Sequence, residues 1–82
     1  MKISIENKIY EGSAQEIMEA LRDQAFDPRE FPTVDSYILF LQNNFIRMTD
    51  QECPLPEGDT EQRALAMFRA LSNVGCLTLV ED

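Results

Sequence analysis

The stretch that decides the fold is Lys2 to Glu16, KISIENKIYEGSAQE. Its first half alternates with period two, so Ile3, Ile5 and Tyr10 share one face while Ser4 and Ile9 take the other. Between the two runs stands Glu6-Asn7. Asparagine tolerates positive φ, so the pair suits a two-residue type I′ turn, which sets Ile5 opposite Lys8 and Ile3 opposite Tyr10. Gly12 and Ser13 then end the hairpin. Ser13 and Glu16 stand at capping-box spacing, where the hydroxyl accepts from the third helical N–H and the carboxylate reaches back.

Outward from this start the period changes. Ala14, Ile17, Met18, Leu21 and Ala25 recur at helical spacing, predicting a first helix from Ala14 to Ala25. Asp27-Pro28 and Phe31-Pro32 make a stiff connector, because each proline disfavours helix in the residue before it. Thr33 caps a second helix carrying Val34, Tyr37, Ile38, Leu41, Phe45 and Met48. Leu39 and Phe40 widen its apolar face over most of the circumference, which marks a helix that is central or lies at an interface. A third helix begins at Asp59 or Thr60, with Asp59 and Gln62 again at capping-box spacing. Ala64, Leu65, Met67, Phe68 and Leu71 are its inner positions, and Gly75 takes the left-handed position past its end. Residues 76–80, CLTLV, alternate as a last strand, with Leu77 and Leu79 inward.

The element order is therefore ββαααβ, an α+β domain spanning residues 1–82 as one unit. If direction reverses at every step, the last strand runs antiparallel to the first. It then pairs beside it, giving a three-stranded antiparallel sheet in order 2-1-3 with the helices packed on one face. At 82 residues the core is thin, and most apolar side chains should already belong to it.

The chain carries a net charge of −8, and the excess is concentrated. Residues 1–48 hold eight acids and five bases, residues 62–82 balance, and the thirteen residues from Thr49 to Glu61, TDQECPLPEGDTE, hold five acids and no base. Such a field repels phosphate backbones and anionic membranes, which disfavours direct nucleic-acid or membrane binding and allows basic partners. No apolar run reaches the length of a membrane span and no signal-peptide pattern opens the chain, so a cytoplasmic protein is expected. Two cysteines, Cys53 and Cys76, do not make a disulfide framework, and reduced thiols are expected.

Catalytic chemistry is poorly supplied. Histidine is absent, which removes the commonest general base and transition-metal ligand. Cys53, in an expected loop, is the best candidate for a reactive thiol, although Asp50, Glu52 and Glu57 would raise its pKa. Cys76, at a strand start, reads as a small packed residue. The acidic stretch offers oxygens suited to calcium, but its spacing does not match a calcium loop and two prolines stiffen it. Asp59 and Glu61 have a simpler role at the start of a helix. Neither a catalytic residue, a metal site nor a cofactor is assigned.

Two non-catalytic features remain. Pro54-Leu55-Pro56 is pre-extended, and Leu55 serves either as a partner anchor or as a plug folded under the loop. On the outer face of the sheet, Ile9, Thr78 and Val80 are apolar enough to suggest self-association or a partner. The favoured expectation is a small acidic protein–protein interaction module without catalytic activity. Its partner-binding residues would be Asp50, Glu52, Cys53, Leu55 and Glu57, with an apolar interface at Ile9, Thr78 and Val80, and with a basic partner or a homodimer. An acidic nucleic-acid mimic that inhibits a DNA- or RNA-binding protein ranks second, and a small enzyme or calcium-binding protein third.

Overall fold

A computed structural model describes residues 1–25 and 27–81. Strands β1 (Lys2–Ile5) and β2 (Lys8–Glu11) form the hairpin, with Ile3 opposite Tyr10 and Ile5 opposite Lys8. Glu6 and Asn7 sit at φ of 50° and 71°. Two successive positive φ values are the signature of a type I′ turn, whose twist matches that of the flanking strands. Helices α1 (Ala14–Asp23), α2 (Val34–Thr49) and α3 (Thr60–Asn73) follow, a single 3₁₀ turn at Pro28–Glu30 separates the first two, and β3 (Thr78–Glu81) closes the chain. The strand order is β2-β1-β3, antiparallel throughout, with the helices on one face.

Each helix opens on a complete capping box. Ser13 pairs with Glu16, Thr33 with Ser36 and Asp59 with Gln62. In each, the cap side chain accepts from the third backbone N–H and the third side chain accepts from the cap's own N–H. α1 ends two residues before the expected Ala25. The Gln24 and Ala25 N–H groups bond three residues back, to Leu21 and Arg22, tightening the last turn ahead of Asp27-Pro28.

α3 ends in a Schellman motif: Gly75, at φ 81°, donates to the Ser72 carbonyl, and Cys76 donates to that of Leu71. Because the Cys76 N–H is committed to the helix end, the strand pairs from Thr78 rather than from Cys76. Ile3 then pairs with Leu79 and Lys2 with Glu81, which leaves Val80 as the extra residue of a β-bulge.

The chain reaches the expected sheet order by a different route from reversal at each step. The Glu61 carboxylate meets the backbone of Ala14 and Gln15, and the Asp35 carboxylate meets Thr60 and Arg63. The first turns of α1, α2 and α3 are thus gathered at one end of the molecule. α1 is about 15 Å long at 1.5 Å per residue and α2 about 24 Å, so the described residues 24–25 and 27–33, and residues 50–59, lead back toward the start of the next helix.

The core lies between the sheet and the helices. Ile3 fills it from the sheet, Ile17 and Met18 from α1, Ile38 from α2, and Met67 and Phe68 from α3. Tyr10, Leu55, Leu71 and Leu79 pack around it half-buried. The six large side chains named first are almost fully withdrawn from water, each contributing about 1.5–3 kcal/mol by apolar burial.

Candidate functional site

The return from α2 to α3 forms a strap laid along α2. Asp50 starts it in the left-handed conformation, φ 55° and ψ 29°, its N–H bonded to the Ile46 carbonyl at 2.9 Å. This is an αL helix end made by aspartate instead of glycine. Cys53 then turns inward and is only 6% exposed. Its carbonyl accepts from Gln42 Nε2 at 2.6 Å, which fastens the middle of the strap to α2. Leu55 lies half-buried against the core, and Asp59 caps α3. The prolines suit this path, since an extended strap with no strand partner has no use for the two N–H groups they lack.

The two cysteines exchange the roles that the sequence suggests. Cys53 is a core residue, and burial, rather than the nearby carboxylates, pushes its thiol above the ordinary range. Cys76 is the exposed thiol. The reason is the Schellman turn, which spends the Cys76 backbone on the helix end and leaves Leu77 to begin the inward face. Among the described residues no group of three or more His, Cys, Asp or Glu side chains is arranged to hold a metal ion. No helix of the described residues is long and apolar enough to cross a membrane.

Between α2 and the strap runs a groove. Its lower part, about 430 Å³, is lined by Gln42, Ile46, Asp50, Glu52, Cys53 and Pro54. Its upper part, about 360 Å³, is lined by Leu39, Gln42, Leu55, Pro56, Glu57 and Arg63. Gln42 lines both, and its hydrogen bond to the Cys53 carbonyl crosses from α2 to the strap between the two parts. Leu39 is 46% exposed and Ile46 40%, seven residues apart on the same helix. Asp50, Glu52 and Glu57 are exposed along the strap. The lining base, Arg63, is held by Asp35 at 2.8 Å. The groove thus combines an apolar wall with a rim of carboxylates.

Five residues singled out in the sequence, Asp50, Glu52, Cys53, Leu55 and Glu57, all belong to this strap. Asp50, Glu52 and Glu57 face water, whereas Cys53 and most of Leu55 are structural. Leu39 and Ile46, which supply the accessible apolar atoms, are on α2. The breadth of that helix's apolar face was the signal for them. Phe40, also exposed, packs on Phe31 and Tyr37 with ring centroids 4.9 and 5.9 Å away.

The outer sheet face is a second apolar surface, with Ile9 55% and Val80 47% exposed and Thr78 exposed beside them. Ser4 pairs with Ile9 on one side and with Thr78 on the other. A polar side chain therefore divides the patch, and neighbouring strands are about 4.8 Å apart.

A third feature is an apolar cavity of about 330 Å³ between the C-terminal halves of the helices, lined among others by Ile5, Leu41, Phe45, Met48, Phe68 and Leu77. Tyr37 lines it too, and burial raises its phenol above the ordinary value. Comparison with family models, with curated proteins and with solved structures returns no match.

Proposed function

We propose that the protein is a non-catalytic interaction module of the cytoplasm that binds a basic partner protein through its acidic strap. The observation that carries this reading is the strap itself: Asp50, Glu52 and Glu57 are exposed beside the exposed apolar side chains Leu39 and Ile46. Carboxylates on a fixed backbone steer a positively charged partner and set its register, while adjoining apolar surface supplies the contact energy. Rigidity helps. The strap is fastened by Gln42, by Cys53 and by both flanking helices, so little conformational entropy is lost on docking. Self-association through the sheet face is the weaker route, since Ser4 divides that patch and each copy brings a charge of −8.

The test is capture from native extract by the wild type and by a triple variant, Asp50→Lys, Glu52→Lys and Glu57→Lys. The same proteins should be retained by the wild type at low salt, released at high salt, and lost from the variant at both. A variant that retains all of them overturns the reading.

A further inference from the structure

Resting on that reading, we infer that the groove between α2 and the strap is the docking site, and that its occupant is a Lys/Arg-bearing helical segment of a partner protein presenting two apolar side chains about 10 Å apart. The spacing comes from the groove wall. Leu39 and Ile46 are separated by seven residues of α2, about 10.5 Å at 1.5 Å per residue. A second helix laid alongside meets both with apolar residues at i and i+7, the geometry of helix-in-groove recognition. Gln42 stands between them with one amide N–H donating to the Cys53 carbonyl, and its Oε1 is left to accept from a donor on the occupant, such as a lysine or arginine.

The sign of the occupant's charge comes from the rim. Asp50 and Glu52 flank the Ile46 end and Glu57 flanks the Leu39 end. The base lining the groove, Arg63, is neutralised by Asp35. A second copy of this chain would set one carboxylate rim against another, which is costly at close range. A basic segment instead places a cation near each end while its apolar residues cover Leu39 and Ile46. Of the two apolar surfaces, this is the one flanked by carboxylates at both ends of its apolar wall.

The probe is a labelled fifteen-residue Lys/Ala helical peptide with leucines at i and i+7, titrated by fluorescence anisotropy at low salt. Three companion peptides are titrated alongside: one with alanine for both leucines, one with the leucines at i and i+4, and one with glutamate for every lysine. The i/i+7 peptide should bind best, the i/i+4 and alanine peptides more weakly, and the glutamate peptide not at all. Leu39→Ser and Ile46→Ser should each weaken the i/i+7 peptide by about tenfold, as expected where a buried apolar anchor is lost. Both sites are exposed, and far-ultraviolet circular dichroism verifies that the variants remain folded. Ile9→Ser should bind like the wild type.

Three results would overturn the inference. They are binding unaffected by Leu39→Ser and Ile46→Ser, equal binding of the alanine and leucine peptides, and no binding of the basic peptides at all. Loss of captured partners on Ile9→Ser or Val80→Ser, with Leu39→Ser silent, moves the site to the sheet face and leaves the interaction module standing. Capture indifferent to charge reversal on the strap instead removes the module itself.

Discussion

The carboxylate of Glu61, in the first turn of α3, accepts the backbone N–H groups of both Ala14 and Gln15, at 2.9 and 2.8 Å. With the Glu16 N–H taken by the Ser13 hydroxyl at 3.1 Å, the first three donors of α1 all have partners. A helix end that would otherwise attract an external anion is filled by the protein's own side chain. The same residue fixes α3 against α1, so one carboxylate serves as dipole partner for two helices.

Removing it should therefore cost more than an ordinary surface substitution. Glu61→Ala leaves two partly buried N–H groups without acceptors and is expected to destabilise by about 1–3 kcal/mol in urea unfolding. Glu61→Gln keeps one carbonyl acceptor but turns an amide NH₂ toward the other donor, and should fall between Ala and wild type. Glu57→Ala, four residues earlier on the exposed strap, should stay within about 0.5 kcal/mol of wild type. Equal losses for Glu57→Ala and Glu61→Ala would contradict the cross-helix cap.

Asp50 is the opposite case, a residue whose charge and conformation both oppose its place. It holds an αL geometry at the C-terminal end of α2, where the helix dipole is negative. Asp50→Gly relieves the backbone strain and the charge together, and Asp50→Asn relieves the charge while tolerating αL. Both should raise the thermal midpoint, Gly by the equivalent of about 0.5–1 kcal/mol. Asp50→Ala is the control: it removes the charge but keeps a Cβ at φ 55°, so it should gain less than Asp50→Gly. A lowered midpoint in the glycine variant would mean that the carboxylate has a stabilising role in the fold.

These residues also mark how far the sequence could be read. The hairpin, its register, the caps Ser13–Glu16 and Asp59–Gln62 and the Gly75 exit depend on neighbours within nine positions, and each was legible. The sheet order was legible as well, although it rested on a reversal at each step that the helices do not follow. What escaped depends on the path between elements. The second acceptor role of Glu61 needs α1 and α3 to start side by side. Asp50 looked like one more acid because no glycine advertised the helix end. Cys53 looked exposed because prolines and acids surround it, yet the strap must follow α2 closely to reach the start of α3. For the groove, the acidic rim was visible as composition, and the apolar wall only as an excess of Leu39 and Phe40 on a helix already well supplied.

The two thiols give a direct check on that path. An aromatic disulfide reagent should modify Cys76 promptly in the native protein and Cys53 only as the chain unfolds. Cys53→Ala should destabilise by about 1 kcal/mol, and Cys53→Ser by more, because it buries a hydroxyl. Burial raises the folded pKa of Cys53 above its unfolded value of about 8.5. Its contribution is therefore complete below that pH and is lost as pH rises through the folded value. In Cys53→Ala this alkaline decline should be absent. Prompt modification of both thiols in the native state would remove Cys53 from the core.

On the acid side the group to follow is Glu16. The Ser13 backbone N–H donates to its carboxylate at 3.0 Å, and this bond, more than the Ser13 side chain, lowers its pKa below the ordinary glutamate value. Between the lowered folded value and the unfolded value of about 4.3, the unfolded chain binds more protons. The contribution is thus complete above the unfolded pKa and is lost as pH falls through the folded one. Glu16→Gln keeps a carbonyl to accept the Ser13 N–H, so the capping box survives without a titrating group. Its unfolding free energy should fall less steeply than that of the wild type below about pH 5, with the two curves converging toward low pH. Parallel acid limbs in the two proteins would show that Glu16 does not report the cap.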